Sequence, residues 1–311
     1  MKLLFGILVM ALLVTVSCTT KSKENTTKEE PNKEITLGDT VNTEWEYLLD
    51  SNLSKWETYL GYPQDSQKVE GLKRDESGKY LEPIGKNKNL NNNFSVISEN
   101  DEPVLRISGE YYGCVATKQE FENYHLSLRV KWGTLKWEPR LDKPMDSGIL
   151  YHSIGEYGVD YWRSWMLSQE MQVVIDETHK EGMGDYWSIA NSEITIMATP
   201  IEEGEGYVFD PEAEPVHFEG SNNFCYRRGD YNKENDWDTL ELITYKGNSL
   251  HIVNGHVVMA LTDSRYKNKS GKNVPLTKGK IQIQSEAAEV FYKEIKIRKI
   301  NNMPSEYIKY F

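Results

Sequence analysis

Glu170 and Gln172 stand two residues apart in the run 169–175, QEMQVVI. In an extended chain that spacing puts a carboxylate and an amide on one face, with Val174 and Asp176 further along it. Met171, Val173 and Ile175 take the other face. A carboxylate can move a proton, and a neighbouring amide can orient a hydroxyl or polarise a carbonyl. Trp162, Trp165 and Trp187 are available nearby as walls of a groove. An ordinary outer strand with a solvated polar face has the same alternation, so the pattern alone leaves groove and surface equally open.

Holding such a face in place requires a sheet, and short strand patterns recur along the chain. The run 147–152 precedes 169–175 across a Gly- and aromatic-rich connection, and a Gly-Asp-aromatic-Trp turn at 184–187 follows. Run 124–132 sends Tyr124, Leu126, Leu128, Val130 and Trp132 to one face. His125, Ser127, Arg129 and Lys131 take the other, which makes His125 a surface residue rather than a ligand. Runs 104–107, 114–117 and 192–197 are further short strands. Runs 238–245, 249–253 and 256–261 form a meander whose second turn is Asn254-Gly255, a pair that tolerates the positive φ of a tight hairpin. Runs 280–284 and 290–300 close the series. Long amphipathic helices are absent, with only short helical stretches expected near 44–53. The pattern predicts an all-β sandwich or barrel. The long connection 200–235, rich in Glu, Gly and Pro, reads as a functional rim.

The ends of the chain have a different character. Residues 1–17 read as an export signal, with Lys2, an apolar run 3–16 and small residues before Cys18. The run is shorter than the ~20 apolar residues of a membrane-spanning helix. Residues 14–18, VTVSC, resemble a bacterial lipoprotein cleavage box, with Val14 where Leu is more usual. That resemblance implies lipidation of Cys18 and an anchored protein of the cell envelope, facing the periplasm or the cell surface. Residues 18–44 are polar and charged and read as a flexible tether, leaving 45–311 as a single domain. A formal charge of -12 argues against a nucleic-acid partner. The 19 Tyr and 8 Trp suit the apolar faces of sugars, and equally a β core. Cys114 and Cys225 are the remaining cysteines, and sequence leaves open whether they pair. No Cys/His spacing marks a zinc site. Asp146, Glu170 and Asp176 offer hard oxygens to a divalent cation, but their spacing does not require one, and no cofactor is assigned.

Five longer runs then occur in order: TKQEFENYHLSLRVKWG (117–133), MDSGILYHSIG (145–155), SQEMQVVIDE with GMGDYW (168–187), DWDTLELITYKGNSLHIVNGHVV (236–258) and GKIQIQSEAAEVFYKEIKIRKI (279–300). Together they resemble the 3-keto-disaccharide hydrolase domain family, formerly a domain of unknown function, over about residues 104–300. The resemblance implies a concanavalin A-like jelly-roll β-sandwich. It also implies a secreted or lipid-anchored bacterial protein that cleaves glycosides already oxidised to a ketone at sugar carbon 3. Carried over by position, the matching residues are Asp146, Ser147, Gly148, His152, Glu170, Gln172, Gly184, Asp185, Trp187, Asn254, Gly255, Gln284, Ser285 and Glu286. The segments 161–168 and 200–235 depart from the pattern, so the resemblance does not specify the substrate beyond its class.

A ketone at carbon 3 acidifies the hydrogen at carbon 2, and loss of that proton can expel the oxygen at carbon 1. The reaction needs a base, a donor to the enolate oxygen and an acid for the leaving group. On the resemblance, His152, Glu170 and Glu286 are the expected catalytic groups. Gln172, Asp185, Asn254 and Gln284 are expected to bind an oligosaccharide or glycoside, and Trp187 to stack on a ring. Each has a plainer reading: His152 bonding a neighbouring loop, Glu286 capping backbone amides, Asp146 and Asp185 forming Asx turns, Asn254 serving its hairpin, Trp187 filling core. Two other functions compete. A laminarinase-type endo-glycosidase places Glu, Asp and Glu on alternate positions of one strand, whereas this chain has Glu170, Gln172 and Val174. A non-catalytic carbohydrate-binding surface lipoprotein would carry the same aromatics and tether.

Overall fold

The computed structural model describes residues 44–311, apart from 160–163, 179, 203–205, 221–222 and 234–235. The expected leader, Cys18, almost all of the tether, and Trp162 lie outside the described residues.

Two antiparallel sheets pack face to face as a jelly-roll sandwich. The larger runs Tyr207–Phe209, Ser192–Pro200, His256–Lys267, Asn248–Val253, Asp238–Tyr245, Tyr124–Lys136, Ala288–Lys299, Glu102–Ile107, Phe94–Glu99. The second runs Phe224–Cys225, Tyr186–Ile189, Leu167–Ile175, Met145–Ile154, Lys278–Ser285, Gly113–Thr117, Trp56–Leu60, Gly85–Lys86. The alternation read from sequence decides what lies between them. Leu126, Leu128 and Val130 enter from the larger sheet, and Ile149, Met171, Val173, Ile281 and Ile283 from the second, all essentially fully buried. Each such side chain contributes about 1.5–3 kcal/mol on burial. A one-residue slip of Leu167–Ile175 would drive Glu170 and Gln172 into this core, so the core fixes the register that presents them outward.

Several expectations need correction. Stretch 44–53 is not helical: Glu46–Tyr47 pairs with Ala288–Lys299, and Leu48 and Leu49 turn into the core. His125 is buried rather than exposed, with Nε2 at 2.6 Å from Glu241 Oε2 and its ring 5.1 Å from Trp45. The connection 200–235 is not a bare rim. Tyr207–Phe209 and Pro215–Phe218 add to the larger sheet, and Phe224–Cys225 adds to the second. Cys114 and Cys225 are free, buried thiols.

Candidate active site

Three adjacent strands of the second sheet make the floor of a cleft of about 240 Å3. Leu167–Ile175 pairs with Met145–Ile154 so that Gln172 lies opposite Gly148 and Val174 opposite Asp146. On its other side Met145–Ile154 pairs with Lys278–Ser285, and an isolated bridge sets Asp146 opposite Glu286. Because their chain neighbours face the core, Asp146, Glu170, Gln172, Gln284 and Glu286 gather on the opposite face, each no more than 6% exposed. Gly148 sits in the middle of this floor. A β-carbon there would collide with Glu170 Oε1 and Gln284 Oε1. Bare backbone therefore lets a carboxylate and an amide from the two flanking strands share the space above the middle one.

Arg140 reaches in from the connection before Met145. Its Nη2 lies 2.5 Å from Asp146 Oδ2, and its Nη1 lies 3.4 Å from Glu286 Oε1. Gln172 Nε2 donates to Asp146 Oδ1 at 3.0 Å. Burial raises the Asp146 carboxyl well above the usual range; Arg140 pulls against the rise and Glu181 adds to it. For Arg140, burial disfavours the charge, but Asp146 and Glu286 outweigh it and hold the guanidinium charged. Lys143, Pro144, Glu181, Trp165 and Trp187 line the walls. Trp187 stands opposite Glu170 on the next strand, with its ring 4.9 Å from Phe224.

Of the residues expected from sequence, Glu170, Gln172, Trp187, Gln284 and Glu286 converge here; His152, Asp185 and Asn254 do not. The pairing of Met145–Ile154 with Lys278–Ser285 shifts register between Leu150 and Ser153, and His152 takes φ 54°. That bulge turns the ring into the core, edge-on to Tyr151 and to Tyr124 of the opposite sheet. Burial pushes the imidazole down to about 3, so it is neutral at physiological pH. Asp185 is a brace. Oδ2 accepts the Gly182 N–H at 2.8 Å, and Oδ1 accepts the Arg227 N–H at 2.7 Å and Arg227 Nη1 at 3.3 Å. It thereby fixes the turn that carries Glu181 to the cleft. Asn254 serves its hairpin: Oδ1 accepts the Thr239 N–H, while Nδ2 donates to Asp238 and to the Tyr231 carbonyl.

The three hard-oxygen side chains considered for a cation, Asp146, Glu170 and Asp176, are not all brought to the cleft either. Asp176 lies in a turn, accepting from Thr178 and from the Glu181 N–H, and does not line the cleft. Among the described residues, potential metal ligands cluster instead at Glu193, His217 and Glu219, where Arg265 and Lys267 already pair the carboxylates. Arg140, Glu181 and Lys143 were missed by sequence reasoning because they lie on connections, where no periodicity marks a residue as inward-facing.

The model of the 3-keto-alpha-glucoside-1,2-lyase-like domain matches residues 44–298. The chain belongs to that family. Membership in the 3-keto-alpha-glucoside-1,2-lyase-like family gives the chain a carbohydrate-related, glycosidase-like function, and the match takes in the strands ahead of the five sequence runs. Two solved structures from Parabacteroides distasonis ATCC 8503, provisionally described as glycosyl hydrolases, are similar. One is 18% identical over 83% of this chain and 100% of that one, with a TM-score of 0.42. The other is 14% identical over 83% and 94%, also at 0.42. LamAcat from Zobellia galactanivorans is 11% identical over 79% and 91%, with a TM-score of 0.37. A comparison with curated proteins returns no match.

Proposed function

We propose that this 3-keto-alpha-glucoside-1,2-lyase-like domain cleaves 3-keto-glycosides by elimination, with Glu170 as the base. The observation that carries the reading is the Glu170 carboxylate over Gly148 beside Gln284, in a cleft that Arg140 also lines. Glu170 takes the proton from carbon 2, and the C–H electron pair enters an enolate with carbon 3. As the ketone re-forms, a double bond forms between carbons 1 and 2, and the C1–O bond breaks with its pair on the leaving oxygen. Glu170, which now carries the proton from carbon 2, delivers it to that oxygen, while Glu286 keeps its contact with Arg140. The products are an unsaturated keto-sugar and a free alcohol; water added later across the double bond yields the keto-sugar itself.

Enolate charge develops beside the Arg140 guanidinium, where low dielectric strengthens the attraction. Asp146, held by Arg140 and Gln172, is a positioning residue. Gln284 Oε1 and Trp187 Nε1 are buried without partners among the described residues, an acceptor and a donor suited to sugar hydroxyls. Direct displacement by two carboxylates is disfavoured: its middle acid is Gln172, which is bonded to Asp146, and its third is Val174, which is fully buried.

Matched oxidised and unoxidised glucosides test the reading. Only the ketone should be consumed, and deuterium at carbon 2 should wash out to solvent. Glu170→Gln should fold normally and lose about 10²–10⁴-fold in turnover. Product that keeps all its deuterium would refute elimination, and binding of the ketone without turnover would make the domain a lectin.

A further inference from the structure

Beside the cleft, and not part of its lining, stands a buried tyrosine. Tyr112 lies at the head of the Gly113–Thr117 strand, where Gly113 pairs with Ser285 of Lys278–Ser285. The same antiparallel register, carried one residue on, sets Tyr112 beside Glu286. On its other side Glu286 bridges to Asp146. Asp146, Glu286 and Tyr112 thus form a row across three neighbouring segments.

Arg140 spans this row. Besides its contacts with Asp146 and Glu286, its guanidinium is hydrogen-bonded to the Tyr112 hydroxyl. The third partner differs from the other two in stiffness and in charge. Its ring is packed in an apolar cluster with Tyr59, Cys114, Leu150 and Trp165, its centroid 6.2 Å from that of Trp165. Its backbone is tied down as well: the Tyr112 carbonyl accepts the Gly61 N–H at 2.8 Å, and the Tyr111 carbonyl accepts from Ser285 Oγ at 2.7 Å. Burial, aided by the Glu286 charge, pushes the phenol far above its ordinary 10, so it stays protonated and neutral.

Arg140 has little support from its own segment. It lies outside any strand, in a run of turns where its N–H bonds the Trp137 carbonyl and its carbonyl accepts the Lys143 N–H. A long side chain projecting from such a segment gives up rotamer freedom when it is fixed. Carboxylates can fix it, but each one also offsets the positive charge that an enolate would meet. A neutral hydroxyl on a rigid ring fixes the guanidinium without neutralising it.

We propose that Tyr112 is a positioning residue, whose hydroxyl holds the Arg140 guanidinium in place at the cleft. Its effect on turnover rests on the elimination reading above, in which the enolate forms beside Arg140. Tyr112 is not among the residues that line the cleft, so it acts through Arg140.

Tyr112→Phe keeps the ring and removes the oxygen. With methyl 3-keto-glucoside, kcat should fall about 10- to 100-fold, the scale of a lost hydrogen bond to a charged group and of the placement it secures. KM should stay nearly unchanged, because the loss falls on the transition state. In an Arg140→Met background the same substitution should cost nothing further, since the group through which it acts is gone. An unchanged kcat in Tyr112→Phe, or an equal loss in both backgrounds, would overturn the proposal. A second readout needs no turnover. Side-chain NMR of isotopically labelled protein follows rotation of the Arg140 guanidinium, which should be slow in the natural chain and faster in Tyr112→Phe. Identical rotation in the two would overturn the proposal. If the natural chain does not turn over the ketone, the elimination reading fails, and the rotation measurement decides the role of Tyr112 by itself.

Discussion

At the scale of single residues, His152 and Glu170 show how one bulge redirects chemistry. Both lie in strand runs of the second sheet, yet Glu170 faces the cleft and His152 the core. His152→Ala should therefore cost about 1–3 kcal/mol of stability and leave the turnover of folded protein nearly unchanged. Paired thermal melts and kinetics on keto-glucoside check this; a collapse of turnover at unaltered melting temperature would restore His152 to the site. Glu170 and Gln172 were legible because period-2 alternation is enough to place them beside one another. The inward turn of His152 was not, because a bulge is set by the pairing with Lys278–Ser285, a partner more than a hundred residues away in sequence. Gly148 was visible only as part of a motif. Its reason, the crowding of Glu170 and Gln284 above it, is a fact of three strands together.

At the scale of elements, the alternating runs fall on true strands, though 124–132 and 256–261 stop short of the ends of Tyr124–Lys136 and His256–Lys267, and the core positions 126, 128, 130, 171 and 173 follow from them. The short strands within 200–235 were not seen, since two to four residues carry too little periodicity to register. One of their neighbours matters to the site. Arg227, beyond Phe224–Cys225, holds Asp185 and donates to the Lys180 carbonyl, bracing the turn that brings Glu181 to the cleft. Burial, opposed by Arg227, pushes the Asp185 carboxyl up to about 6 from an ordinary 3.8. The folded state thus binds this proton more tightly than the unfolded one, so the group's contribution to stability is full below about pH 4 and is lost as pH rises through 6. Without the cation the buried carboxylate stands uncompensated. Arg227→Met should cost about 3–5 kcal/mol at pH 8, and distinctly less at pH 5, where Asp185 takes up its proton. Adding Asp185→Asn should recover much of the loss. Chemical denaturation at the two pH values checks this, and a penalty independent of pH would mean that the pair is not what Arg227 supports.

At the scale of the whole molecule, the apolar leader and Cys18 support the proposal that the mature chain is a lipid-anchored envelope protein, with the domain carried on a polar tether. Membrane fractionation of the natural chain and Cys18→Ala tests it: the natural chain should sediment with membranes and the variant should not, and equal sedimentation would refute the anchor. A population fixed to a surface is crowded in two dimensions, and crowding exposes any β protein to a particular hazard. The margin of a sheet presents unpaired N–H and C=O groups that can template the strand of a neighbour. Among the described residues, the cleft-bearing sheet ends on each side in a strand of only two residues, Gly85–Lys86 and Phe224–Cys225. Such abbreviated margins offer a passing chain almost nothing to zip onto along this sheet, so the mouth of the cleft would stay open to solvent even among densely tethered copies.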